Sequence, residues 1–121
     1  MTVDETSAPI IDESALNVLK DEVGAETMAM LIDAFIDEIK NQQDLIMQAY
    51  HGGDYQTIET RAHALKSAAY SFGASALGAV CKQLEYTLRD GQFSGTEQLL
   101  EQLQTEAITA RAQLSCIELD D

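Results

Sequence analysis

A chain of 121 residues is long enough for one domain built around one core and too short for two. With 45% hydrophobic and 23% charged residues, it has the make-up of a soluble globular protein rather than a disordered one. Its formal charge of -14, from 21 acidic against 7 basic side chains, argues against nucleic acid and against anionic lipid as partners.

Residues 1–11 hold the only proline, Pro9, and no helical period. They are predicted to be a flexible leader before a single domain over 12–118. Asp12 or Ser14 can cap a short helix with Leu16, Leu19 and Val23 on one face, ended by Gly24. A long helix follows from about Glu26 to Tyr50, with Met28, Leu31, Phe35, Ile39, Ile46 and Tyr50 near one stripe and Asp33, Asp37, Lys40 and Asp44 off it. His51-Gly52-Gly53 is the turn, and His51 suits a helix C-terminus when charged. The third helix runs from the capping Asp54 to Phe72, where Gly73 stops it. The fourth, about Ser75 to Arg89, aligns Leu77, Cys81, Leu84 and Leu88, and Gly91 closes it. Ser94 and Glu97 have the spacing of a capping box opening a last helix with Leu99, Leu103, Ala107, Ala110 and Leu114. The polar tail, 119–121, is expected to fray.

No segment shows sustained two-residue alternation, so the class is all-α. Four long helices joined by short turns predict an antiparallel up-down four-helix bundle with a short extra N-terminal helix. No apolar run approaches the ~20 residues of a membrane span, and the acidic N-terminus lacks the pattern of a signal peptide. Two cysteines, Cys81 and Cys116, fit a reducing compartment, so a cytoplasmic protein is expected. Cys81 falls on the apolar stripe as a core residue.

The third helix is unusual in what it turns outward. Ile58, Ala62, Leu65, Ala69 and Phe72 form its buried face. At about 100° per residue, with His63 at zero, that face lies at roughly 180° to 260°, so the imidazole points away from the core. Lys66 and Tyr70 lie to one side of His63, Ser67 and Thr60 to the other, with the small Ala64, Ala68 and Ser71 beyond. The surface offers one imidazole, little bulk and one nearby cation. On geometry alone such a histidine is a solvated side chain.

The wording of the stretch changes that reading. RAHALKSAAYSFGASALGAVCKQLE, Arg61 to Glu85, resembles the signature of histidine phosphotransfer (HPt) domains: H-x-L-K-G/S, a run of small residues, Gly-Ala, then an apolar helix often ending Cys-x-x-Leu-Glu. The matching positions are His63, Leu65, Lys66, Ser67, Gly73, Ala74, Leu77, Cys81, Leu84 and Glu85. Ser67 is the main departure, standing where Gly is commoner. The resemblance implies that His63 is the phosphorylated residue and Lys66 its phosphate-facing neighbour. Ala64, Ser67, Tyr70 and Ser71 become the face that admits a receiver domain of a response regulator or hybrid kinase. It also implies a monomeric phosphoryl carrier with no cofactor of its own, the divalent metal ion being held by the partner receiver.

The chemistry suits such a site. Phosphoryl transfer has a loose transition state, so positioning and charge stabilisation supply most of the catalysis. A neutral imidazole offers one unprotonated nitrogen, and a lysine one turn away can neutralise charge on the transferring oxygens. No Gly-rich loop precedes a helix as a nucleotide site. Ala64, not an acidic residue, follows His63, and no acid–base partner is visible beside the imidazole, so neither autokinase nor phosphatase activity is expected. Two other readings compete. A binding bundle that docks a receiver without carrying phosphate is disfavoured by the presence of both His63 and Lys66. A metal bundle is disfavoured because Thr60 precedes His63, and Gln48 precedes His51, where Glu-x-x-His pairs would be needed.

Overall fold

The computed structural model describes residues 11–117. In chain order it forms α1 (Glu13–Val23), α2 (Ala25–His51), α3 (Tyr55–Ser71), α4 (Ser75–Arg89) and α5 (Thr96–Ser115), with no strand among the described residues. The helix ends follow local chemistry. Asp12 caps α1 by accepting from the Ser14 N–H, and Asp54 caps α3 by accepting from the Thr57 N–H and hydroxyl. Gly24 at φ 89° and Gly73 at φ 76° turn the chain in the left-handed region that side chains avoid.

Both α2 and α4 pack against α3 and α5 but not against each other, so the four long helices run round the bundle in chain order, with α2 diagonal to α4. The short turns α2–α3 and α3–α4 make successive helices antiparallel. This is the all-α up-down bundle expected from the sequence, with α1 laid across α2 and α3. The stripes of α3, α4 and α5 are buried as the periodicity predicts; Ile58, Leu65, Leu84 and Leu103 are at most 1% exposed. Burying a side chain of that size contributes about 1.5–3 kcal/mol. Phe72 closes one end of the α3 stripe by stacking on Phe35 of α2, centroids 4.5 Å apart.

Three expectations are corrected. The buried stripe of α2 passes through Ile32 rather than Leu31, and ends on Ala49 rather than Tyr50; Leu31 and Tyr50 are only half-buried. α2 meets α1, α3 and α5, so its stripe keeps the alternating four-and-three spacing of a bundle seam and takes in two glutamines, Gln42 and Gln43. The Ser94–Glu97 capping box is not formed. Gly95 is the N-cap, without a side-chain hydrogen bond, and Ser94 stays exposed in the turn before it. There the Tyr55–Phe93 stack, centroids 4.5 Å apart, ties the α4–α5 loop to the start of α3. Finally, Ile11 is not leader but core, 6% exposed. Next to it the Asp12 N–H donates to the Gly73 carbonyl at 2.6 Å, fastening α1 to the α3–α4 turn. A Cβ on Gly73 would run into the Asp12 carbonyl. The remainder of the expected leader, 1–10, and the tail at 119–121 lie outside the described residues.

Candidate functional site

The site lies on the seam between α3 and α4, the most closely associated pair of helices. Small residues permit the approach: Ala62 and Ala69 on α3 are fully buried, and Gly78 on α4 lies under the Tyr70 ring, where a Cβ would sit only 2.9 Å from that ring. His63 stands halfway along α3 with its side chain 59% exposed, outward as its helical phase requires. Across the seam, α4 places Glu85, 1% exposed and covered by neighbouring side chains.

The Glu85 carboxylate gathers three partners. Its Oε2 lies 2.9 Å from His63 Nδ1, its Oε1 accepts from Lys66 Nζ at 2.7 Å, and the Arg89 guanidinium pairs with Oε2. Arg89 also reaches Glu59, Nε to Oε2, at 3.3 Å. Burial alone would raise the Glu85 pKa, but hydrogen bonds from Lys66 and His63 outweigh it and hold the carboxyl below its ordinary value. An ionised carboxylate can only accept, so His63 Nδ1 carries a proton, and in the neutral ring the free lone pair is then on Nε2. The same hydrogen bond fixes the ring orientation. Lys66 is raised above its ordinary value, first by its hydrogen bond to Glu85.

This arrangement corrects two expectations. An acidic partner does sit beside the imidazole, contributed by α4 rather than by the residue after His63. And His63 has two cations near it, since Arg89 shares its carboxylate and, with Glu59, Thr60 and His63, lines a shallow cleft at the seam. Lys66 is not a freely solvated lysine: its side chain is 16% exposed, and its ammonium lies 5.3 Å from the Tyr86 ring centroid. Ala64, Ser67 and Ser71 are exposed, with the Ser71 hydroxyl donating to the Ser67 carbonyl at 3.1 Å. Tyr70 is 43% exposed, its ring lying flat on Gly78. His51 is the last residue of α2, and Cys81 is buried in the core, its thiol pushed up to about 12 by burial.

Glu85 and Arg89 are the site residues that periodicity alone does not find. A signal was present: Glu85 closes the Cys-x-x-Leu-Glu segment, one turn after buried Cys81 and beside buried Leu84, where a carboxylate has to have partners.

The Hpt domain model matches residues 30–113. The phosphorelay protein LuxU of Vibrio cholerae is 29% identical over 83 residues, covering 69% of this chain and 74% of that protein. LuxU of Vibrio vulnificus is 26% identical over 82 residues, covering 68% and 71%. The crystal structure of histidine-containing phosphotransfer protein B (HptB) from Pseudomonas aeruginosa PAO1 superimposes with a TM-score of 0.84 at 29% identity, covering 90% of this chain and 94% of that one. With the family model spanning most of the sequence and the bundle shared, the chain belongs to the Hpt family and is a histidine phosphotransfer protein of a phosphorelay.

Proposed function

We propose that His63 is the phosphoacceptor, taking a phosphoryl group from the aspartate of one receiver domain and passing it to the aspartate of another. The observation that carries this reading is the Glu85 hydrogen bond to Nδ1, which leaves Nε2 of an outward imidazole as the nucleophile. In the forward step the Nε2 lone pair attacks phosphorus and a P–N bond forms. The P–O bond to the receiver aspartate breaks, and that carboxylate leaves with the electron pair. The new positive charge on the imidazole faces the Glu85 carboxylate across Nδ1–H, so the intermediate is stabilised where it forms. Transfer onward reverses these steps. Lys66 neutralises charge on the phosphoryl oxygens, and exposed Ala64, Ser67, Tyr70 and Ser71 form the rim on which the receiver sits.

The protein acts as a carrier, without autokinase or phosphatase activity. The sequence has no Gly-rich loop for a nucleotide, which supports this reading; Glu85 is committed to holding the ring rather than to activating water. No cofactor of its own is needed, the divalent metal ion belonging to the receiver. No helix among the described residues is long and apolar enough to cross a membrane. We place the exchange in the cytoplasm, in keeping with the free thiols of Cys81 and Cys116. The test is to mix the protein with a panel of phosphorylated receivers. Acid-labile phosphate should appear on wild type and not on His63→Gln, with the helical circular dichroism unchanged, and none should appear from ATP alone. Phosphate on His63→Gln would refute the assignment. Tight receiver binding without phosphate on wild type would favour a docking module instead.

A further inference from the structure

Arg89 divides its guanidinium between two carboxylates on two helices. Its Nη2 donates to Glu85 Oε2 on α4, the oxygen that also faces His63 Nδ1, and its Nε donates to Glu59 Oε2 on α3 at 3.3 Å. Nε–H and Nη2–H lie along one edge of the guanidinium and point the same way, so they commonly take both oxygens of a single carboxylate. Here that pair is split. Glu59 stands one helical turn before His63 and lines the same shallow cleft as His63 and Arg89. The Glu59 hydrogen bond is also the largest of the influences that hold the Arg89 pKa above its ordinary value, ahead of those from Glu85.

The split matters because the Glu85 carboxylate is crowded. Lys66 occupies Oε1, while His63 and Arg89 share Oε2, and the carboxylate is enclosed with 1% exposure. A guanidinium free to lay its whole edge on Glu85 would compete with Lys66 for Oε1 and turn Oε2 out of line with Nδ1. We infer that Glu59 is a positioning residue for phosphotransfer: by engaging Arg89 Nε it limits Arg89 to one point on Glu85 and keeps Oε2 directed at His63 Nδ1. The chain of contacts runs Glu59, Arg89, Glu85, His63, and it crosses the α3–α4 seam twice. Glu59 therefore acts on the nucleophile without touching it, by holding back the group that competes for its hydrogen-bond acceptor. The inference rests on the phosphotransfer reading above and extends it from the carboxylate that holds the ring to the one that keeps that carboxylate in place.

Glu59→Ala removes the second acceptor, and with a side chain only 29% exposed but outside the core it should leave the helical circular dichroism unchanged. Nitrogen-15 NMR of the neutral His63 ring reads which nitrogen carries the proton. Wild type should hold it on Nδ1. Glu59→Ala should move a measurable share to Nε2 and slow receiver transfer by about threefold, since a neutral ring protonated on Nε2 has no lone pair at the exposed nitrogen. Arg89→Gln removes the competitor for Oε2. It should keep the proton on Nδ1, and adding Glu59→Ala to it should change neither the tautomer nor the transfer rate further. That rescue separates a positioning role from a direct effect of Glu59 on the ring or on the receiver. An Nδ1–H share in Glu59→Ala equal to wild type would overturn the inference, as would a shift that persists in the Arg89→Gln background. A tautomer shift in a protein whose wild type takes phosphate from no receiver would overturn the phosphotransfer reading, and the part of Glu59 in transfer with it.

Discussion

The bundle buries polar side chains along two of its seams, and the two seams treat them differently. Between α3 and α4, Glu85 is enclosed but each of its oxygens has a charged or imidazole partner. Between α2 and α5, Gln43 donates to Gln104 at a long 3.3 Å, and the Gln43 Oε1 is buried without a hydrogen-bond partner. A satisfied charged network fixes geometry, whereas a half-satisfied amide pair fixes little and costs some stability. The contrast separates the seam that bears the proposed phosphoacceptor from the one that only joins helices.

Breaking the first seam should have the larger consequence. The Glu85→Gln variant keeps the shape but removes the charge, releasing Lys66 and Arg89 and no longer stabilising a positively charged imidazole. Transfer to His63 should slow by about tenfold or more, a loss of roughly 1.4 kcal/mol or greater in transition-state stabilisation. Rates within twofold of wild type would show that the hydrogen bond at Nδ1 is incidental.

Stability should follow the same carboxylate. Because the folded Glu85 pKa is depressed, its contribution is present above the unfolded value of 4.5 and is lost as pH falls through the lower folded value. Lys66 has the opposite sign: raised by Glu85, it contributes below 10.5 and loses that contribution as pH rises through its folded value. Denaturant unfolding should therefore show wild type more stable than Glu85→Gln at neutral pH, with the difference shrinking in acid. A gap that persisted unchanged at low pH would mean that shape, not charge, is what Glu85 supplies.

Ser67 probes access rather than charge. It is exposed one turn from His63, so Ser67→Tyr should keep the melting temperature near wild type and lower receiver binding and transfer together, while Ser67→Gly preserves both. Undiminished transfer in Ser67→Tyr would place the receiver wholly on the α4 side of the histidine. The smallest effect belongs to the other seam. Replacing Gln43 and Gln104 together by leucine removes a weak pair and an unpartnered acceptor, and should change stability by no more than about 1 kcal/mol and transfer not at all. Lost transfer there would show that the α2–α5 seam is coupled to the site.

The sequence makes some of this visible and hides the rest for physical reasons. Helix α3 is readable because its apolar positions are few and regularly spaced and because Asp54 and Gly73 mark its ends, so the outward direction of His63 follows from phase alone. Along α2 apolar residues are frequent enough that Leu31 and Ile32 compete, and only the packing of α1, α3 and α5 decides between them. Ser94 has the residue type of a cap but not its backbone position, so the start of α5 expected from the sequence lies one residue too early. Glu85 and Arg89 escape periodicity since their link to His63 crosses 22 residues and two helices, and spacing within one helix reports a face, not what lies opposite it.

The central claim is that Glu85 holds the Nδ1 proton of His63, so that phosphate forms on Nε2. Nitrogen-15 NMR of the imidazole, recorded before and after phosphorylation by a receiver, tests this directly. A protonated Nδ1 is expected in both states and a phosphorus-coupled Nε2 in the second; a phosphoryl group on Nδ1 would contradict this assignment.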